Sequence, residues 1–188
     1  TIVIAVMFSL MAIVCAGMLI GSPRVPEVGL VLVLITPVWA RETLMLAARF
    51  ATPGEKRIAQ EYIREAQEKL AGMQHTIRIG ITGSYGKTST KFILDTILSE
   101  KYSVIATPQS YNTPLGVTRF VREQITDAPE VFISEMGARQ KGDIAELCAL
   151  VQPRYGLITS IGPQHLETFG TIENVVQTKN ELARALPE

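Results

Sequence analysis

Cysteine and histidine are scarce: the chain has two of each in 188 residues. Cys15 lies in an apolar run and Cys148 in a helical pattern, with no Cys-x-x-Cys pair, which excludes a disulfide framework and a zinc knuckle. An excess of either charge is missing too, since 18 basic residues balance 18 acidic ones. No basic run is interleaved with aromatics, so nucleic acid is excluded as a partner. Charge is absent altogether from Thr1 to Ile20. The overall figures of 47% hydrophobic and 19% charged therefore average two unlike parts, and the first fifty residues are read apart from the rest. The length allows one good-sized domain, or a small domain with an appendage.

Thr1 to Ile20, as a helix rising about 1.5 Å per residue, would just cross a hydrocarbon core of about 30 Å. The run exceeds the core of a signal peptide and no basic segment precedes it, so a transmembrane helix is expected. Val28 to Ala40 is shorter, and spans only if Thr43 to Ala48 are added with Arg41 snorkelling or paired with Glu42; an interfacial helix is the alternative. Residues 1–50 are thus expected to form a transmembrane hairpin. Arg41, Arg49, Lys56, Arg57 and Arg64 follow the second run while Arg24 alone lies in the link, which puts everything after residue 50 on the cytoplasmic side of a membrane. Residues 51–76 form a linker. Thr52-Pro53-Gly54-Glu55 has the form of a capping box, and a helix follows to about Ala71 with Gly72 as its C-cap. Its stripe of Ile58, Tyr62, Ile63, Ala66 and Leu70 faces a domain or a membrane.

Residues 77–188 alternate apolar runs with helical ones. Strands are expected at Ile77 to Thr82, Ser103 to Thr107, Val131 to Met136 and Tyr155 to Ile161, with helices at Ser89 to Glu100, Gly116 to Ile125, Asp143 to Val151 and Thr171 to Leu186. This is the pattern of an α/β fold, a parallel sheet with helices on both faces. In such sheets ligands bind outside the carboxyl ends of the strands.

After the first strand comes Gly83-Ser84-Tyr85-Gly86-Lys87-Thr88-Ser89, a variant P-loop. The usual loop carries glycine at the position of Ile81, so the match is to Gly-x-x-Gly-Lys-Thr. Backbone N–H groups and a helix N-terminus would cradle phosphate, Lys87 would add a charge on the outer phosphates, and the Thr88 hydroxyl would ligate Mg²⁺. Glu135 closes another strand, where its carboxylate could take Mg²⁺ on the same edge. His165 follows the fourth strand and could bind a second metal or orient a phosphate. Read by themselves, Asn112 is a loop residue and Lys179 a solvated residue on a helix.

The strings Ile-Thr-Gly-Ser-Tyr-Gly-Lys-Thr-Ser-Thr at 81–90, Tyr-Asn-Thr-Pro-Leu-Gly at 111–116, Ser-Glu-Met-Gly-Ala at 134–138 and Ile-Gly-Pro-Gln-His-Leu-Glu-Thr-Phe-Gly at 161–170 resemble the central ATPase domain of the Mur ligases. Residues 77–188 would be the N-terminal part of that domain. Glu-Met-Gly-Ala and His-Leu-Glu-x-Phe-Gly look most like members that add D-alanyl-D-alanine. The resemblance implies ATP and Mg²⁺ as cofactors, and phosphorylation of a substrate carboxylate followed by amide formation. It implies that Lys87 meets the transferred phosphate, Thr88 a first Mg²⁺, and Glu135 and His165 a second. Asn112 falls on an active-site asparagine, and Lys179 on a lysine that several members carry as a carbamate helping to hold metal, which reverses its surface reading. Tyr85 departs from the family, which usually has asparagine or a similar residue there.

The implied function is an ATP-dependent ligase of peptidoglycan precursor synthesis, joining D-alanyl-D-alanine to a UDP- or lipid-linked muramoyl peptide. Alternatives are a folylpolyglutamate-synthase-like or lipid-precursor-modifying ligase of the same type and, from another class, a nucleotide-binding membrane scaffold without ligase activity. The start at Thr1 and the stop after Pro187 are expected of a piece of a longer protein. Only one helix fits between the apolar runs and Ile77, so the family's UDP-sugar-holding domain is either replaced by the anchor or lies upstream.

Overall fold

In a computed structural model of the chain, the described residues are 57–109 and 111–187, together with Met45, Gly54 and Glu55. The expected transmembrane hairpin and the Thr52-Pro53 cap lie outside them. Among the described residues no helix is long and apolar enough to cross a membrane. From Ala59 onward the chain forms one compact unit.

Four strands make one sheet: β1 (Ile77–Thr82), β2 (Val104–Ala106), β3 (Val131–Glu135) and β4 (Tyr155–Ile158), in the order β2-β3-β1-β4. Every pairing is parallel, as the alternation predicts. The helices are α1 (57–72), α2 (Lys87–Ser99), α3 (Pro114–Glu123), α4 (Asp143–Val151), the short α5 (Leu166–Phe169) and α6 (Ile172–Ala185). The fourth strand is shorter than its apolar run. Beyond Ile158 the Thr159 N–H still donates to Thr82 O at 2.9 Å, and the chain then leaves the ladder to meet the loop after β1.

Burial follows from the strand period of two. Ile79, Ile81, Val131 and Ile133 point to one face, where Leu94 and Leu98 of α2 pack on them. Phe132 and Met136 point to the other, against Val117, Phe120 and Val121 of α3, Ile144 and Leu147 of α4, and Leu182 of α6. All five residues of β3 are buried, which is why it reads as a continuous apolar run rather than an alternating one. Two helix starts are fixed by threonines: Thr113 accepts from the Gly116 N–H at 3.2 Å and Thr171 from the Asn174 N–H at 3.3 Å. Glu181 of α6 accepts from the N–H groups of Gly142 and Ala145, both at 2.9 Å, and so ties α6 to the start of α4.

The expected stripe of α1 is buried only in its second half. Ala66 and Leu70 enter the core, whereas Ile58 and Tyr62 are exposed. The Arg122 guanidinium of α3 lies 3.8 Å from the centre of the Tyr62 ring and 2.7 Å from Glu65, so a mixed polar seam replaces core packing there. Tyr155 and Leu157 stand beside Ile79 and Ile81 in the ladder but remain exposed, because α2 covers the β2, β3 and β1 part of that face.

Leu70 is almost fully buried, so Leu70→Ala should cost about 2–5 kcal/mol of unfolding free energy in denaturant titration. A loss below about 1 kcal/mol would mean that α1 is an appendage and not a wall of the core.

Candidate active site

The parallel pairing of β1 with β3 sets Gly80 opposite Ser134 and Ile81 opposite Glu135, so the loop after β1 and the end of β3 emerge side by side. Thr82 Oγ1 reinforces this by donating to Met136 O at 3.0 Å. Gly83 then turns at φ +146°, and a Cβ there would run into Thr159 Oγ1 and the Ser160 backbone. Only glycine combines that conformation with that approach.

The loop is fastened to the segment after β4. Ser84 N–H donates to Ser160 O at 2.7 Å, and Ser84 Oγ exchanges hydrogen bonds with the Gly162 carbonyl (3.0 Å) and N–H (3.1 Å). Thr159 and Ser160 hydroxyls both donate to Tyr85 O, at 2.6 and 3.0 Å. The Tyr85 side chain is exposed and lies over Gly162, in space a Cβ at 162 would need. Tyr85 therefore leaves the backbone of the loop intact, and its ring helps clasp the loop to the segment leading to His165.

No side chain caps α2, which starts at Lys87 after Gly86. Its first-turn N–H groups and the positive end of its dipole suit an anion. Lys87 Nζ bends back to the carbonyls of Gly83 (2.9 Å) and Ser84 (3.3 Å). Burial lowers its pKa, opposed by the Glu135 charge. Ser89 is exposed in the same first turn.

Glu135 is 4% exposed and its carboxylate is shared. Thr88 Oγ1 lies 3.1 Å from each of its oxygens. On the other side is a residue the sequence reading passed over: Lys91, fully buried, with Nζ 3.1 Å from Glu135 Oε2 in an ion pair too far off line to be a hydrogen bond. Removing one partner of such a pair typically costs about 3–5 kcal/mol. The clue was available in the periodicity, because Lys91, Leu94 and Leu98 fall on one helical stripe.

Lys87, Asn112, Glu135, His165 and Lys179 line one cavity of about 410 Å³. Gly83, Ser84, Tyr85, Gly86 and Ser89 form the loop and first turn beside it rather than its lining. Asn112 is held there by a close backbone crossing: Gly137 N–H donates to Asn112 O at 2.7 Å, and a Cβ at 137 would press on that carbonyl and on the side-chain amide. His165 adopts φ +55° just before α5, with Nδ1 3.6 Å from Glu167. The reading of Lys179 as solvated surface is overturned. It is 3% exposed, because Val175, Thr178, Lys179 and Leu182 make the buried stripe of α6. Burial, and then the like charge of Lys87, push its pKa down to about 8 against the pull of Asp143 and Glu181.

Among the described residues no group of three or more histidine, cysteine or acidic side chains could cage a metal. A hydroxyl at Thr88 and one carboxylate at Glu135 instead suit Mg²⁺, a hard ion that keeps waters and completes its shell with phosphate oxygens. The loop and α2 suit a nucleotide's phosphates on the same grounds.

The fold and the cavity define a P-loop-type α/β domain with a cavity suited to phosphate at the carboxyl edge of a parallel sheet. The chain belongs to the Mur ligase middle domain family, whose description matches residues 81–188. It is 42% identical over 108 residues to the UDP-N-acetylmuramoyl-tripeptide–D-alanyl-D-alanine ligase of Mycobacterium leprae, covering 57% of this chain and 21% of that protein. The Bacillus subtilis ligase of the same name is 31% identical over 133 residues, covering 71% and 27%. Among solved structures, MurF ligase from Thermotoga maritima in complex with ADP superimposes with a TM-score of 0.65 at 37% identity, covering 69% of this chain and 30% of that one. MurF from Acinetobacter baumannii gives 0.65 at 29% identity, with 69% and 28% covered. The chain thus spans between a fifth and a third of the length of these relatives.

Gly83→Ala should weaken nucleotide binding at least tenfold by calorimetry, since both the backbone conformation and the Thr159 contact forbid a side chain. Unchanged affinity would remove the loop from the site.

Proposed function

We propose that this chain carries the phosphate-binding half of an ATP- and Mg²⁺-dependent amide-bond ligase of peptidoglycan precursor synthesis, one that adds D-alanyl-D-alanine to a muramoyl tripeptide. The observation that carries the reading is the convergence of Lys87, Asn112, Glu135, His165 and Lys179 on one cavity beside the loop. The similarity to ligases of that name supports the choice of substrate.

In the proposed reaction a carboxylate oxygen of the muramoyl peptide takes the γ-phosphoryl group of ATP, releasing ADP and leaving an acyl phosphate. The amine of the dipeptide then attacks the acyl carbon, an amide forms, and inorganic phosphate leaves. Bound Mg²⁺ would supply charge neutralisation between the two anions. Because Glu135 lies 3.1 Å from Thr88 Oγ1, it would hold the first ion with Thr88 rather than the second with His165 as the resemblance implied, and His165 and Lys179 would serve the second. Lys87 and the α2 N-terminus would stabilise charge on the phosphoryl oxygens, the main demand of such a transfer. Asn112, fixed against Gly137, would orient a polar group of substrate or nucleotide.

Lys179 is suited to carbamate formation, in which the neutral amine attacks CO₂ and a proton is lost. With a pKa of about 8, roughly a tenth of the amine is neutral at pH 7. The sign follows from the direction of the shift. The folded amine loses its proton at lower pH than a solvated lysine, so at fixed dissolved CO₂ the carbamate should increase as pH rises from about 6.5 to 8.5. Carbon-13 NMR with labelled bicarbonate should show a carbamate signal that follows this trend and vanishes in Lys179→Ala. A signal that persists in the variant would place the modification elsewhere.

Residues 1–50 would anchor the enzyme in the membrane with the ATPase domain on the cytoplasmic side. The support is their charge-free first run and the basic residues that follow the second. Resistance of the full-length protein to carbonate extraction is expected, and release into the supernatant would end that part of the proposal.

The substrate assignment is tested on full-length enzyme. ADP release should require both UDP-muramoyl-tripeptide and D-alanyl-D-alanine, and Lys87→Ala should reduce it about a hundred- to a thousandfold. Release with folate and glutamate instead would overturn the substrate, and nucleotide binding without release under either condition would favour a scaffold.

A further inference from the structure

Lys91 is the one fully buried lysine among the described residues, and the phosphate chemistry gives it no task. It does not line the cavity, so it is not a phosphate ligand. It lies three residues after Thr88 on α2, which puts both side chains on one face of the helix, and both meet the same carboxylate. Glu135 is thereby approached by a hydroxyl and by an ammonium at 3.1 Å. The nearby Phe92 ring, centred 5.2 Å from Nζ, adds no charge.

The consequence is electrostatic. A lone buried carboxylate is a general attractor of divalent cations, whereas Glu135 and Lys91 together carry no net charge. Of the other charged groups lining the cavity, Lys87, Arg139 and Lys179 repel a free metal ion, and Asp143 and Glu146 offset only part of that charge. We propose that Lys91 is a positioning and charge-balancing residue, which holds Glu135 in place beside Thr88 and cancels its charge so that a divalent cation enters only with the nucleotide phosphates. The proposal rests on Glu135 being a metal ligand in the reading above. A charge within several ångströms of the ion, behind protein and not water, alters affinity by at least an order of magnitude.

Mn²⁺ binding to the full-length protein, followed by electron paramagnetic resonance, tests this without turnover. In the absence of nucleotide, Lys91→Met should bind Mn²⁺ at least tenfold more tightly than wild type. The gain should disappear in the Lys91→Met/Glu135→Gln double variant. The enhancement of Mn²⁺ affinity by ADP, large in wild type, should shrink in Lys91→Met. Lys91→Gln, which keeps a donor toward Glu135 while removing the charge, should show the same gain and serves if the methionine variant fails to fold. The idea is overturned if neither neutral variant gains affinity, or if the gain survives loss of Glu135. It is equally overturned if nucleotide-free wild type already binds Mn²⁺ through Glu135 as tightly as it does with ADP. A protein that binds no ADP at all would instead defeat the ligase reading, and the nucleotide-free comparison would still judge the role of Lys91.

Discussion

The site depends on the parallel pairing of β1 with β3. With Ile81 opposite Glu135, the chain that turns into the phosphate loop and the chain that delivers the carboxylate leave the sheet together. A slip of one residue would turn Glu135 toward the opposite face and send Met136, now in the core, to its place. The register is held by apolar burial on both faces: Ile79, Ile81, Val131 and Ile133 under α2, and Phe132 with Met136 under the opposing helices. Core packing and functional geometry are here one constraint.

Around that edge the molecule concentrates charge it must then balance. Lys91 neutralises Glu135 directly, while Lys87 and Lys179 add positive potential where phosphate would lie. Glu181 is turned to the backbone at the start of α4 and tempers Lys179 from a distance. The loop itself stays neutral and rigid, fastened to Thr159, Ser160 and Gly162, so that the path from phosphate to His165 runs through one hydrogen-bonded unit. Preorganised donors of this kind suit a reaction whose difficulty is the meeting of two anions.

Much of this was legible in the residues. The strands, their parallel character, the variant loop and the strand-end Glu135 all follow from local pattern, because each is specified by neighbours in sequence. Strand order was not legible: β1 lies between β3 and β4, a matter of long-range packing. The helical lysines show a different kind of miss. Lys91 drew no notice, and Lys179 read as solvated surface until the family resemblance reversed it, although their spacing to Leu94 and Leu98, and to Val175 and Leu182, puts each on an apolar stripe. A lysine on the buried face of a helix needs a partner or a task, and that rule outweighs the usual solvation of its side chain. Tyr85, the departure from the family's loop, is exposed with its ring over Gly162, a long-range contact that its place in the sequence does not specify.

The central claim is that this edge of the sheet activates a carboxylate by transferring phosphate to it. Oxygen-18 placed in the acceptor carboxylate of the muramoyl tripeptide follows that step directly in the full-length enzyme. One labelled oxygen should appear in the inorganic phosphate released with each amide formed. Label appearing in AMP, or phosphate released without label, would contradict an acyl phosphate and with it the role assigned to this site.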